Sequence, residues 1–217
     1  MRGLYAIADV DFLSARSVPV GDFVRAVLSA RPAALQLRAK SLGARDTLSL
    51  LGELSPLARA AGVPFFANDR PDLALLAGCD GVHVGQSDLP VADVRRFAKS
   101  LRVGVSTHDE AELRRALAAT PDYVAFGPVF GTTSKASPEP TVGVAALARA
   151  HVNARAAGIP LVAIGGVDLR TVAAIRGHAD GFAVISALLP AEGLAAVPAR
   201  ARELQAAFAT PRTSDGA

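Results

Sequence analysis

The residues of this chain that could do chemistry begin with its lysines. There are only three, Lys40, Lys99 and Lys135, and every other basic residue is arginine. A lysine presents a compact charge to phosphate oxygens, and Arg38, two residues before Lys40, adds a planar fork. Lys99 reads as solvated charge at a helix end, whereas Lys40 and Lys135 fall among clustered polar residues. Two acids, Asp69 and Asp88, suit a hard divalent ion such as Mg²⁺, which takes few protein oxygens and completes its shell with phosphate and water. Two plainer readings compete: Asp88 as the cap of a helix starting near Leu89-Pro90, and Asp69 in a salt bridge with Arg70. Gly165-Gly166 and Ile185-Ser186 offer backbone N–H groups and a hydroxyl for a phosphate, because glycine lets an anion approach the main chain. The pattern therefore predicts two anion demands. A pyrophosphate-sized charge would face Arg38, Lys40 and a metal, and a monophosphate would face the glycines and Ser186.

These residues need a common edge, and the elements between them supply one. Short apolar runs recur at 4–8, 34–38, 64–67, 81–84, 102–106, 123–126, 160–164 and 181–185. Their near-continuous hydrophobicity suits parallel strands buried on both faces. Helical periodicity fills 47–61, 91–99, 110–119 and 144–157, with Asp109 and Asp168 as candidate N-caps. Strict alternation over eight repeats favours a single-domain (β/α)₈ TIM barrel, a parallel sheet closed on itself, over 1–209, with a small polar tail at 210–217. No Gly-x-Gly-x-x-Gly follows the first run, which argues against a dinucleotide-binding sheet. In a barrel the chemistry lies at the carboxyl ends of the strands. There the sequence places Asp9, Arg38 to Lys40, Asn68-Asp69, His83 to Asp88, Ser106 to His108, Gly165-Gly166 and Ser186. The long connection 127–143 reads as a lid over ligand.

Composition narrows the class further. The net charge is only +3 on 217 residues, without a basic run, so a nucleic-acid partner is not expected. The single cysteine, Cys79, excludes a disulfide within the chain and reads as a small buried hydrophobe. No apolar stretch is long enough to span a bilayer, and the N-terminal run is too short for a signal peptide. The expectation is a soluble, cytoplasmic protein that acts on small molecules, with homo-oligomerisation left open.

Seven segments, taken in order, resemble thiamine-phosphate synthases. They are Leu4 to Asp9, Gln36-Leu37-Arg38-Ala39-Lys40, Asn68-Asp69-Arg70, Asp80 to Asp88, Gly104 to His108, Asp122 through Lys135, and Ala163-Ile164-Gly165-Gly166. The resemblance implies a transferase that joins a hydroxymethylpyrimidine diphosphate to a thiazole phosphate, releasing pyrophosphate with the help of Mg²⁺. It implies that the run Gln36, Leu37, Arg38, Ala39 and Lys40 holds the pyrimidine diphosphate together with Asn68, Ser106 and Lys135. Arg38, Lys40, Ser106 and Lys135 would be its catalytic groups. Asp69 and Asp88 would bind Mg²⁺, and Thr132, Thr133, Ser134, Gly166, Ile185 and Ser186 would hold the thiazole phosphate. Such chemistry separates charge and needs no general base, so His83 is expected as a polar residue packed at the barrel mouth and His108 as a loop residue. Two positions depart from the family pattern. Ala39 stands where an acid is usual, and Ser134 where threonine is common. Strand parity turns Gln36, Arg38 and Lys40 to one face and Ala39 to the other, so Ala39 is expected to be tolerated.

Three rivals use related scaffolds. A thiazole tautomerase typically carries histidine at the position of Pro128 and lacks the Asn68-Asp69 and His83-to-Asp88 segments. A non-catalytic sensor of thiamine precursors is supported only by Ala39. A sugar-phosphate epimerase or decarboxylase remains because fold alone does not fix function.

Overall fold

In the computed structural model, residues 2–132 and 140–209 are described. Eight parallel strands close into a barrel in chain order. They are β1 (Gly3–Asp9), β2 (Ala34–Arg38), β3 (Phe65–Asn68), β4 (Gly81–Val84), β5 (Arg102–Thr107), β6 (Tyr123–Phe126), β7 (Leu161–Ile164) and β8 (Gly181–Val184). β8 returns to pair with β1, with Phe182 opposite Leu4. Every expected strand is present, with its ends displaced by at most one residue. Among the described residues, eight α-helices cover the barrel or lead into its layers: α1 (Val10–Ser14), α2 (Val20–Leu28), α3 (Ala44–Ala60), α4 (Pro71–Leu76), α5 (Val91–Phe97), α6 (Glu110–Ala118), α7 (Gly143–Ala156) and α8 (Val197–Ala209).

The two-residue period of the strands divides the core into two layers. Outward residues such as Leu4, Leu35, Phe65, Val82, Val103, Val124, Leu161 and Phe182 pack under the helices. Inward residues Tyr5, Ile7, Ala34, Phe66, Tyr123, Val162 and Ala183 form a second cluster that fills the barrel. Two inward glycines make that filling possible. A Cβ on Gly104 would lie 2.0 Å from the Tyr123 ring, and one on Gly81 would lie 2.4 Å from Phe66. Large rings thus occupy the space that small neighbours leave, as expected of side chains stacked in layers inside a barrel.

Local signals mostly act as the sequence implies. Asp109 caps α6 by accepting the Glu112 N–H at 2.7 Å. Cys79 is buried. Asp168 accepts the N–H groups of Arg170 and Thr171 at 2.8 and 3.0 Å. However, the segment it opens is only a 3₁₀ turn, Val172–Ile175, and not an α-helix. Gly177, two residues past that turn, has a left-handed backbone with φ +75°, which an α-helix does not continue through. The tail 210–217 lies outside the described residues.

Candidate active site

Barrel parity and the strand-end loops bring most of the expected polar residues into one cavity of about 500 Å³. It is lined by Gln36, Arg38, Lys40, Asn68, Asp69, Asp88 and Ser106. Arg38 donates to Asp9 Oδ2 at 2.5 Å, which fixes its guanidinium at the mouth. Lys40 pairs with Asp69. The Asp69 backbone is left-handed, with φ +62°, and its N–H donates to His83 O at 2.8 Å. Aspartate tolerates this conformation better than most residues, and such strained positions concentrate at functional sites. Burial raises the Asp69 carboxyl above the ordinary Asp range; Lys40 opposes that rise and neighbouring Asp88 adds to it. Asp88 Oδ2 accepts the Gly85 N–H at 2.7 Å, which orients its carboxylate.

This geometry sets aside both plainer readings of the acids. Arg70 pairs with Asp72 at 2.6 Å, not with Asp69. The helix α5 is preceded by Pro90, and the Asp88 side chain does not cap it. Two carboxylates close enough to perturb each other, beside a lysine, fit a hard cation. Among the described residues no group of three or more His, Cys, Asp or Glu side chains forms a metal cluster. Two carboxylates leave most of a cation's shell to water and phosphate, a share that Mg²⁺ accepts.

Beneath the cations lies a polar chain that sequence spacing did not reveal. Gln36 Nε2 donates to Tyr5 OH at 2.9 Å, and Tyr5 OH meets Tyr123 OH at 2.8 Å. Tyr123 OH meets His83 Nδ1 at 2.8 Å, and His83 Nε2 meets Ser106 Oγ at 2.8 Å. His83 thus packs at the barrel mouth. At the rim, His108 Nδ1 lies 2.9 Å from Glu112 Oε2, and both line the cavity. Gln86 Nε2 donates to Ser106 O at 2.6 Å. Tyr5, Tyr123, Gln86 and Glu112 were not singled out from sequence. The usable signal was inward parity, which puts Tyr5, Gln36, His83, Ser106 and Tyr123 on the same inner face.

A smaller compartment of about 70 Å³ adjoins the first. Thr132, Gly165, Gly166, Ile185 and Ser186 line it, together with Gly127 and Pro128. Gly165 and Gly166 have φ of +92° and +65°. A Cβ on Gly165 would lie 2.4 Å from Pro128, and one on Gly166 would lie 2.5 Å from Gly131 O. Only glycine lets these two loops approach this closely. Backbone bonds from Val129 N to Ile164 O (2.8 Å) and from Phe130 N to Gly165 O (3.0 Å) join them. The 3₁₀ turn Ser186–Leu188 follows β8 directly. The two compartments share Ser106, His108, Ile164, Ala183 and Ile185 as a common wall.

Two members of the expected pyrimidine-diphosphate run sit elsewhere. Leu37 and Ala39 line a separate cavity of about 180 Å³ with Thr47, Leu51 and Ala67, on the helix side of β2. Thr133, Ser134 and Lys135 lie outside the described residues, as do residues 133–139 of the expected lid 127–143. The placement of Ala39 makes a prediction. Ala39→Glu would put its carboxylate among Lys40 and Arg70, behind the main cavity. Such an indirect contact should change kcat by no more than about tenfold in either direction, as measured with saturating substrates. An inactive natural chain rescued by Ala39→Glu would show instead that the acid is essential.

A closed parallel barrel with two adjoining compartments at the carboxyl ends of its strands, the larger lined by Arg38 and Lys40, defines the (β/α)₈-barrel class. The comparisons with known proteins carry this to a family. Residues 4–188 match the family model described as thiamine monophosphate synthase, and the chain belongs to that family. The thiamine-phosphate synthase of Chloroflexus aurantiacus is 38% identical over 206 residues, covering 94% of this chain and 91% of that protein. The thiamine-phosphate synthase of Anaeromyxobacter dehalogenans is 44% identical over 195 residues, covering 89% and 85%. Among solved structures, the thiamine phosphate pyrophosphorylase of Pyrococcus furiosus superposes with a TM-score of 0.82 at 30% identity, covering 95% of each chain.

Proposed function

We propose that the protein joins a hydroxymethylpyrimidine diphosphate to a thiazole phosphate, forming thiamine phosphate and pyrophosphate. The observation that carries this reading is the pair of adjoining compartments with a shared wall, each suited to a different anion. The larger, cationic one takes the pyrimidine diphosphate, through Gln36, Arg38, Lys40, Asn68 and Ser106. The smaller takes the thiazole phosphate, through Thr132, the Gly166 backbone, Ile185 and Ser186. From the family motif, Lys135 joins the first set, and Thr133 and Ser134 join the second. Leu37 and Ala39 contribute through the main chain of the run they belong to.

The bond between the pyrimidine methylene carbon and the diphosphate oxygen breaks, and its electron pair leaves on pyrophosphate. The thiazole nitrogen lone pair then forms the new carbon–nitrogen bond. No strong base is required. Arg38 and Lys40 stabilise the leaving charge, and the shared wall holds the two substrates in contact. A Mg²⁺ ion held by Asp69 and Asp88 would supply further neutralisation of that charge. Pro128 supplies no proton acceptor to the small compartment, which favours this reading over a tautomerase. None of the described helices is long and apolar enough to cross a membrane. We place the protein in the cytoplasm, acting on small molecules, with the barrel spanning 1–209.

The test is to mix purified protein with both substrates and Mg²⁺ and to measure thiamine phosphate. Product that requires all three is expected. Binding of thiazole phosphate without any product would favour a sensor, and isomerisation of the thiazole alone would favour a tautomerase.

A further inference from the structure

The buried chain from Gln36 to Ser106 has a direction. Its first donor is the Gln36 amide, which gives a hydrogen to the Tyr5 oxygen. Burial raises both the Tyr5 and the Tyr123 phenols above their ordinary range, so each keeps its single hydrogen. The Tyr5 oxygen accepts from Gln36, and its own hydrogen points to Tyr123 OH. The Tyr123 oxygen accepts that bond, and its hydrogen points to His83 Nδ1. An imidazole nitrogen that accepts is unprotonated, so the ring hydrogen of His83 resides on Nε2 and is donated to Ser106 Oγ. The opposite tautomer, or an imidazolium, would donate into Tyr123 OH while the Gln36 amide donates into Tyr5 OH, and one of the two phenol hydrogens would then lack an acceptor inside the buried core.

We propose that Gln36, Tyr5, Tyr123 and His83 form a one-way hydrogen-bond chain that holds Ser106 as a hydrogen-bond donor aimed at a substrate oxygen. Ser106 lines both compartments, and its hydroxyl accepts from His83 rather than donating to it. Its hydrogen is therefore available to the leaving diphosphate, and a hydroxyl that already accepts a bond donates more strongly. Tyr123 lines neither compartment and acts only through its neighbours, and Tyr5, which lines the larger one, passes the bond from Gln36 on to it; both are positioning residues. Gln36 has a second task besides lining the cavity, because its amide sets the sense of the whole chain. Only the identity of the substrate oxygen rests on the function proposed above; the direction of the chain does not.

The direct test is ¹⁵N NMR of the resting protein with labelled histidine. The chain contains four histidines, and His83→Gln assigns the relevant signal. Wild-type protein should show His83 as the neutral tautomer with hydrogen on Nε2. Tyr123→Phe, and separately Tyr5→Phe, should erode that preference while the protein keeps its circular dichroism spectrum. Tyr123→Phe should also lower kcat about three- to tenfold, the effect of one lost neutral hydrogen bond. In a Ser106→Ala background it should add less than about a twofold further loss, because the chain would have nothing left to orient. An Nδ1–H tautomer or an imidazolium in the wild type would overturn the proposal, as would losses that multiply in the double variant. The expected tautomer in a protein that makes no thiamine phosphate would retain the chain and reject the reaction instead.

Discussion

Asp69→Asn is expected to lower turnover at least ~100-fold while leaving the thermal melt within a few degrees of wild type, and Asp88→Asn should behave alike. Asparagine keeps the shape and tolerates the left-handed backbone at position 69, so the loss isolates the charge. Alanine at 69 would add a backbone penalty and blur the result. Asp69 sits beside Lys40, and its carboxyl is raised by burial and by Asp88. A raised carboxyl contributes stability at low pH and loses that contribution as pH rises through its folded value. The melting temperature of Asp69→Asn relative to wild type should therefore climb between acid and neutral pH in metal-free buffer. Added Mg²⁺ should raise the melt of wild type and not that of Asp69→Asn. Full activity of Asp69→Asn in excess chelator would remove Asp69 from the metal site.

The strand-end residues were legible because two periods govern them. Alternation in the strands and strict βα order together fix which residues reach the mouth. That is why Gln36, Arg38, Lys40, Asn68, Asp69 and Ser106 meet although they span some 70 positions of the chain. The same parity turned Ala39 to the helix side. Spacing alone could not show partners across the barrel. Tyr5 and Tyr123 are 118 residues apart, in two different segments of the resemblance, and neither segment names the other's ring as a partner. The Tyr123 ring fills the space that Gly104 leaves open, a signal that becomes readable only once the strands are aligned. The acids posed a different difficulty. Asp69 precedes an arginine, and Asp88 precedes a helix, so each had a plausible local partner. Tertiary contacts chose Lys40 and the Gly85 N–H instead.

Asp9→Ala should be the most destabilising of the polar substitutions in the site. Asp9 is 3% exposed and Arg38 18%, and they meet at 2.5 Å. Asp9 also caps α1 by accepting the Phe12 N–H at 2.9 Å. Removing one partner of a buried pair strands the other charge, which costs ~3–5 kcal/mol, and the lost cap adds about 1 kcal/mol. For a chain of this length the melt should fall by on the order of 10 °C. Asp9→Asn keeps the cap and a neutral acceptor, so its loss should be smaller. The decisive comparison is Asp9→Ala combined with Arg38→Met. Replacing both charges removes the stranded guanidinium, so the double variant should melt well above Asp9→Ala alone. It should nevertheless be nearly inactive, because the proposed pyrophosphate cluster then lacks Arg38. Recovery of stability without recovery of turnover would separate the two roles of Arg38, partner to Asp9 and ligand to the leaving group. If the double variant melted no higher than Asp9→Ala, the ion pair would not be what Asp9 contributes, and the cap on α1 would be the remaining cause.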